Sequence, residues 1–432
     1  MATNFIANLA FLALCPTWLS IYLYNDAVAS LSSSIGQAAC LPGGFRNMLP
    51  DAEVLAAERE MPRLTAAGTR AFLSRAAQTF AANSFRPHRL FHNGHAQTIA
   101  AYLWPRRFRF LSERDQERLF EVAPGVKVLA HCRWQTNASD HPTLVVWHGI
   151  EGSTSSNYMQ ATAEKGFREG FNVIRVNFRN CGGTEHLTTT IYHGGLSADL
   201  GAVVKELIEK DQISRMFLVG FSLGGNLVLK LSGEYGDHPP KEILGVCAVS
   251  PSVDLNTSAE LIMKRSNWIY QQDFVRRLKK RIRTNHKLYP ELYDLTGLEE
   301  VRTLREFDDR FTARAHNFAG ADDYYHRSSS IRVIDQIHIP TLIIHAEDDP
   351  FIPFAPLHDP AIANNPYILL VGSRQGGHVA FIAADQKDDE DRFWAENRVI
   401  EFCQLANETS PGSTINPNGS GAGIHPLTSQ SS

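Results

Sequence analysis

The chain has 432 residues, of which 43% are hydrophobic and 20% are charged, and its formal net charge is −4. These values are typical of a globular protein with one large domain and insertions, and no basic excess points to nucleic-acid binding. The six cysteines show neither a C-x-x-C pair nor zinc-ligand spacing, so we expect free thiols in a reducing compartment and no metal site.

The amino-terminal stretch from Phe5 to Tyr24 carries no charge over about the length that crosses a bilayer. Its residues Trp18, Tyr22 and Tyr24 cluster near one end, as aromatic residues do at membrane interfaces. A secretory signal peptide would carry Lys or Arg before the apolar stretch, and none is present. We therefore predict a membrane anchor at about residues 5–24, within an N-terminal extension of residues 1–85, on a protein that is otherwise cytoplasmic. A buried or disordered segment is the alternative.

From residue 119 onwards, apolar strand-like runs alternate with segments of helical periodicity. Strands are predicted at 119–122, 126–134, 143–147, 172–178, 216–221, 243–249, 341–346 and 367–371. Helices are predicted at 155–169, 198–210, 225–235 and 391–404. This alternation predicts an α/β fold with a mostly parallel, doubly wound sheet. Continuous apolar strands fit a sheet that is covered on both faces.

The stretch 251–335 breaks this rhythm, because it is helical and charged and lacks strand-like runs. Lying between two strands, it is predicted to be a helical cap over the carboxyl edge of the sheet, which divides the core into residues 86–250 and 336–405. Residues 406–432 are dominated by small polar residues, glycine and proline, and are predicted to be a disordered tail.

Within the predicted cap, Phe274, Leu278 and Ile282 lie four residues apart and are surrounded by six basic residues. One interpretation is a solvated helix that packs on the core through a single apolar stripe. The other is a surface helix that meets anionic lipid near the mouth of a site. The sequence leaves both open.

A candidate nucleophile lies in the sequence Gly220-Phe221-Ser222-Leu223-Gly224, between an apolar strand and a helix. A turn this tight strains the middle residue and requires glycine where side chains would clash. It presents the Ser222 hydroxyl above the sheet, at a helix N-terminus whose dipole favours developing negative charge. Ser222 is therefore the predicted nucleophile.

A serine nucleophile needs a base and an acid that orients the base, here in the chain order Ser, acid, His. The acidic loop after the strand at 341–346 offers Asp348 and Asp349, and we prefer Asp349, which precedes prolines at 350 and 353. His378 follows two glycines just beyond the next strand and is the predicted base among 17 histidines.

The oxyanion of an acyl-transfer reaction needs backbone N–H donors. The sequence predicts one from Leu223, directly after the nucleophile, and one from Ile150 in the loop that follows the strand at 143–147. His148 at the start of that loop is expected to hold the loop rather than to act in catalysis.

Seven sequence blocks together resemble the α/β-hydrolase superfamily and, within it, the AB hydrolase 4 family of YheT-like esterases. In chain order, over about residues 90–405, they are HNGHAQTI, HGIEGS, NFRNCGG, GFSLGGN, YYHRSSS, AEDDPFIP and GGHVAF. The resemblance implies an α/β-hydrolase fold and a charge-relay triad of Ser222, Asp349 and His378. It also implies activity on lipid-like acyl esters without a metal or organic cofactor. Where many relatives have Arg-Gly-Cys, this chain has Arg-Asn-Cys at 179–181.

The predicted function is hydrolysis of carboxylic esters through an acyl-enzyme, on a small-molecule or lipid ester. No partner protein and no nucleic acid are implied. An alcohol O-acyltransferase is the alternative, although the H-x-x-x-x-D motif of some acyltransferase relatives is missing from the sequence. A catalytically silent scaffold is a further alternative, and the intact set of Ser, acid and His argues against it.

Overall fold

The computed structural model describes residues 65–409, apart from residues 107, 109–114, 385–388 and 390. The predicted anchor at 5–24 lies outside these residues, as does the chain beyond 409. No helix within the described part combines the length and the apolar character that a membrane span requires.

The described residues form an eight-stranded sheet in the order β1-β2-β4-β3-β5-β6-β7-β8. The strands are β1 (Gln116–Ala123), β2 (Val126–Arg133), β3 (Thr143–Trp147), β4 (Asn172–Val176), β5 (Met216–Phe221), β6 (Ile243–Val249), β7 (Thr341–Ala346) and β8 (Ile368–Ser373). Strand β2 pairs antiparallel with β1 and β4, and all later neighbours pair in parallel. The predicted mostly parallel sheet is confirmed.

The helices of the described residues cover both faces of this sheet and also form the insertion between β6 and β7. They are α1 (Ala66–Ala82), α2 (Gly94–Leu103), α3 (Asn157–Arg168), α4 (Ser197–Glu209), α5 (Leu223–Glu234), α6 (Leu255–Ile262), α7 (Trp268–Leu288), α8 (Leu304–Phe307), α9 (Ala313–Ala315), α10 (Ala321–Ser328), α11 (Pro360–Ala363) and α12 (Trp394–Thr409). Every residue of β3, β5 and β7 is buried, as their continuous apolar sequences predict.

The two faces of the sheet carry separate hydrophobic clusters, because successive strand residues point to opposite sides. Val145 and Trp147 of β3 join one cluster, which also contains buried residues of α4 and α5. Leu144 and Val146 join the other, which contains buried residues of α1, α3 and α12. The sheet is therefore doubly wound. The four described cysteines are buried free thiols: Cys132, Cys181, Cys247 and Cys403.

The two ends of the described chain pack together on one face. Phe72 of α1 lies edge-on to Phe402 of α12, with ring centroids 5.2 Å apart, and Arg75 donates to the Thr409 hydroxyl over 2.7 Å. The prediction that the disordered tail begins at residue 406 is therefore wrong for residues 406–409, which continue α12. The reason is that Ala406 is buried among the residues of this cluster.

Helices α6 to α10 lie between β6 and β7, and we call residues 255–328 the cap segment. Its longest helix, α7, buries Leu278 and Ile282, while Phe274 is partly buried against the same cluster. The predicted apolar stripe of this helix thus packs inward. Of its basic residues, Arg277 pairs with Asp273 on the surface, whereas Arg281 is buried.

Candidate active site

Ser222 occupies the turn between β5 and α5, with φ 55° and ψ −116°. Left-handed backbone is uncommon for a residue other than glycine, and it persists here because the surroundings fix it. The Ser222 N–H donates to the Val249 carbonyl over 2.9 Å. A Cβ at Gly220 would lie 2.1 Å from the Gly224 carbonyl oxygen, and a Cβ at Gly224 would lie 2.5 Å from that of His148. Both glycines are therefore required by the turn.

The structure brings the side chains of Ser222, His378 and Asp349 together at the carboxyl ends of β5, β7 and β8. The Ser222 hydroxyl lies 2.9 Å from Nε2 of His378, and Nδ1 of His378 lies 2.8 Å from Oδ2 of Asp349. The other carboxylate oxygen of Asp349 accepts the N–H groups of Phe351 and Ile352 over 2.8 and 3.0 Å. The acid is thus held on both oxygens, and a hydroxyl proton of Ser222 can pass to the imidazole.

Asp348, the alternative acid, faces elsewhere: its Oδ1 accepts the Gly377 N–H over 2.9 Å. Burial raises the pKa of Asp348 above its usual value. Burial would also raise the pKa of Asp349, but the charge and the hydrogen bond of His378 outweigh it and lower that pKa. The geometry and the electrostatics therefore both favour Asp349 as the ionised partner of the histidine.

The loop after β3 lies directly against the nucleophile, since a Cβ at Gly149 would be 3.4 Å from the Ser222 hydroxyl oxygen. The N–H groups on either side of Ile150 are occupied: that of Gly149 donates to Tyr158 and that of Glu151 to Tyr192. Ile150 and Leu223 both line the pocket that contains Ser222 and His378. This arrangement is compatible with the two predicted oxyanion donors.

His148 supports this loop from within the core. Its Nε2 accepts the Phe178 N–H over 3.0 Å, so Nδ1 carries the proton and donates to the Gly149 carbonyl over 2.7 Å. Burial lowers the pKa of His148 to about 4, so the ring is neutral at pH 7. The structural function expected for His148 agrees with these contacts.

Helix α2, which carries most of the block HNGHAQTI, holds the His378 loop in place. The Thr98 hydroxyl accepts the backbone N–H of His378 over 2.9 Å and donates to the Gly94 carbonyl. The buried amide of Gln97 accepts the Ile382 N–H over 2.8 Å and donates to the Ile382 carbonyl. Sequence reasoning gave this block no role. The feature that could have indicated a function is the polar Gln-Thr pair at 97–98, next to the apolar half of the helix.

A pocket of about 670 Å³, including its open mouth, extends from Ser222 under the cap segment. Its walls are mainly apolar and include Leu255, Ala259, Ile262, Phe274, Leu278 and Leu304. One charged group, Asp308, also lines it and accepts hydrogen bonds from Thr312 and Tyr325 over 2.7 and 2.8 Å. Burial raises the pKa of Asp308 to about 6. The pocket suits an aliphatic chain attached to a carbonyl at Ser222.

Comparisons with known proteins agree with this architecture. A family model for the alpha/beta hydrolase fold matches residues 142–385. YheT of Escherichia coli is 32% identical over 321 residues, which are 74% of this chain and 92% of YheT. The monoacylglycerol lipase of Saccharomyces cerevisiae is 28% identical over 62% of this chain and 60% of the lipase. The medium-chain fatty acid ethyl ester synthase/esterase 2 of the same yeast is 26% identical over 71% of this chain and 68% of that enzyme. The chain thus belongs to the α/β-hydrolase superfamily and, within it, to the AB hydrolase 4 family of YheT-like esterases.

Proposed function

We propose that this protein hydrolyses carboxylic esters by two-step acyl transfer through Ser222. The observation that carries the proposal is the hydrogen-bonded line from the Ser222 hydroxyl through His378 to the buried carboxylate of Asp349. A serine with such a base and orienting acid can be converted to a nucleophile at neutral pH. The Ser222 hydroxyl, where this line begins, lies in an apolar pocket that can receive an acyl chain.

In the first step, Nε2 of His378 takes the Ser222 proton as the oxygen attacks the ester carbonyl. The N–H groups of Leu223 and Ile150 donate to the resulting oxyanion, an effect worth about 10²–10³ in rate for one donor. The imidazolium then protonates the leaving alcohol, and the acyl group remains on Ser222. Water, deprotonated by the same histidine, releases the acid in the second step. Asp349 keeps the proton on Nδ1 and stabilises the imidazolium.

The substrate is a lipid-like acyl ester. Phe274 and Leu278 of α7 and Leu255 of α6 surround the space next to Ser222 with apolar side chains. Burial of each additional CH₂ contributes about 0.8 kcal/mol, so affinity should rise with chain length until the pocket is filled. The relatives whose names specify lipid esters favour the same class.

The test is hydrolysis of p-nitrophenyl esters of graded chain length by the wild type and by Ser222→Ala. The variant should lose at least about 10⁴-fold in kcat and should no longer react with a fluorophosphonate probe. Ser232→Ala is the matched control, because this buried serine of α5 donates to the Val228 carbonyl away from the pocket. Probe labelling that persists in Ser222→Ala would refute the assignment of the nucleophile.

Ester synthesis is the second candidate, because one relative is named both synthase and esterase. An alcohol can replace water as the acceptor of the acyl group without a change in the catalytic residues. Incubation with an acyl-CoA and ethanol distinguishes the two: a synthase forms the ethyl ester, and a hydrolase forms the free acid.

Membrane attachment through residues 5–24 is part of the same proposal. Its support is the uncharged apolar sequence with aromatic residues near one end. The full chain should stay with the membrane fraction after an alkaline carbonate wash, whereas a chain beginning at residue 25 should be released. Release of both chains would contradict the anchor.

A further inference from the structure

We propose that Arg281 of α7 is a positioning residue for the oxyanion site, acting through Glu151. This inference rests on the proposed ester hydrolysis. Nε of Arg281 lies 2.9 Å from Oε1 of Glu151, and the two side chains are only 8% and 7% exposed. The pair therefore joins the cap segment to the loop that contains Ile150, without contacting Ser222 or His378 itself.

Glu151 directly follows Ile150 and has left-handed backbone, with φ 51°. Its N–H donates to the Tyr192 hydroxyl over 2.9 Å, and that hydroxyl donates to Oε1 of Glu151 over 2.9 Å. Arg281 donates to the same carboxylate oxygen. Residues other than glycine adopt this backbone only where surrounding contacts enforce it. The Tyr192 hydroxyl thus links the carboxylate of Glu151 to its own backbone N–H, and Arg281 holds the same carboxylate from α7.

The peptide on the other side of Ile150 is fixed as well, because the Gly149 N–H donates to Tyr158 over 3.0 Å. The direction of the Ile150 N–H is therefore set between two held peptides. Loss of the Arg281 contact would weaken the hold on one of them, the peptide that carries the Glu151 N–H. The N–H would then point less accurately at an oxyanion, and a small misalignment weakens such a donor strongly.

The cation is also fixed from the core side. The Arg281 guanidinium lies over the Tyr192 ring, 5.2 Å from its centroid, and its Nη1 lies 3.4 Å from Oδ1 of Asn180. Asn180 and Asn285 of α7 exchange two hydrogen bonds of 2.8 Å. These buried contacts tie α7 to the loop that contains Asn180. The asparagine that departs from the family's Arg-Gly-Cys sequence therefore belongs to this contact.

Helix α7 therefore contacts two parts of the site. Its residue Arg281 binds the loop of the predicted oxyanion donor, and Phe274 and Leu278 line the pocket for the acyl chain. The Arg281–Glu151 pair therefore couples the position of α7 around a bound acyl chain to the position of the loop that contains Ile150. This makes the cap segment a determinant of transition-state stabilisation as well as of substrate binding.

The experiment compares p-nitrophenyl butyrate with its thiono analogue, in which sulfur replaces the carbonyl oxygen. Sulfur is a weak hydrogen-bond acceptor, so the thiono ester depends less on the oxyanion donors. Arg281→Gln should lower kcat for the oxo ester about 10- to 100-fold with KM nearly unchanged. The thiono ester should lose much less, so the oxo/thiono ratio of kcat/KM should fall.

Glu151→Gln, which preserves the shape of the side chain, should lower the oxo/thiono ratio of kcat/KM in the same way. It replaces Arg281→Gln as the test variant if that variant does not fold. The double variant should lose little more than either single variant, because both remove one interaction. Arg283→Gln is the matched control on the same helix, since Arg283 forms an exposed pair with Glu299. Its ratio should equal that of the wild type.

Equal losses on both esters, or no loss, in Arg281→Gln and Glu151→Gln would overturn the positioning role. A wild type that is inactive on both esters would overturn the proposed function itself, and this inference with it. An active wild type with unchanged ratios in the variants overturns this inference alone.

Discussion

Oδ2 of Asp349 lies 2.8 Å from Nδ1 of His378, while the adjacent Asp348 accepts the N–H of Gly377, the residue that precedes the histidine. Two neighbouring carboxylates thus support one histidine in different ways, the first at the ring and the second at the backbone. This difference separates their expected contributions to catalysis.

Asp349→Asn should lower kcat on p-nitrophenyl butyrate by about 10³–10⁴-fold, because the amide no longer holds the proton on Nδ1. Asp348→Asn is the matched variant. Its amide oxygen can still accept the Gly377 N–H, so kcat should fall less than about tenfold. Equal losses in the two variants would contradict the assignment of the acid.

Thr98→Val should reduce kcat about tenfold and the free energy of unfolding by about 1–3 kcal/mol. The isosteric change leaves the partly buried N–H of His378 without its acceptor. Thr98→Ser keeps the hydroxyl and should restore most of the activity. Activity and urea unfolding are measured on both variants. If Val and Ser behave alike, the hydroxyl does not hold the histidine loop.

Gly224→Ala should destabilise the protein by about 1–3 kcal/mol or more, because the new Cβ would lie 2.5 Å from the carbonyl oxygens of Trp147 and His148. Gly201→Ala is the control. It lies within α4, and its Cβ would meet Leu231 at an ordinary 3.5 Å, so the change should be neutral or stabilise the helix. Urea unfolding of both variants checks the contrast, and equal stabilities would contradict the steric argument.

Asp308 should make stability depend on pH. Burial raises its pKa from 3.8 to about 6, so between about pH 4 and 6 the folded protein keeps a proton that the unfolded chain releases. This group therefore lowers the free energy of unfolding as pH rises through that range. Asp308→Asn removes the effect, so its stability relative to wild type should increase from pH 4 to 7 by up to roughly 3 kcal/mol.

Buried His148 acts in the opposite direction, because its pKa is lowered to about 4 and the unfolded chain takes up the proton first as pH falls. The two groups partly compensate in the wild type. In Asp308→Asn only the effect of the histidine remains. The free energy of unfolding should therefore fall more steeply with decreasing pH than it does in the wild type. Urea unfolding at several pH values measures the difference between variant and wild type, and a constant difference would contradict the raised pKa of Asp308.

The sequence predicted the strands best where apolar runs are continuous. The observed bounds of β3, β5, β6 and β7 coincide with the predicted ones. Because the carboxyl ends of parallel strands share one edge, the loops after β5, β7 and β8 could be expected to meet there. The side chains of Ser222, Asp349 and His378 do lie together at that edge.

Contacts between distant segments could not be predicted in this way. Thr98 meets His378, and Arg281 meets Glu151, across more than a hundred residues, and no spacing rule connects such pairs. The end of α12 was misplaced for a related reason. Composition indicates a flexible tail, whereas the burial of Ala406 depends on a partner helix far away in the chain.

The pocket walls come largely from the cap segment, whereas the reacting groups come from the strand ends. Changes in substrate range can therefore accumulate during evolution in residues 255–328 while the chemistry stays intact. The buried cation at 281 limits this freedom. A cap segment taken from another member of the family would need its own partner for Glu151. We therefore expect the cap segment and the core to change together during evolution.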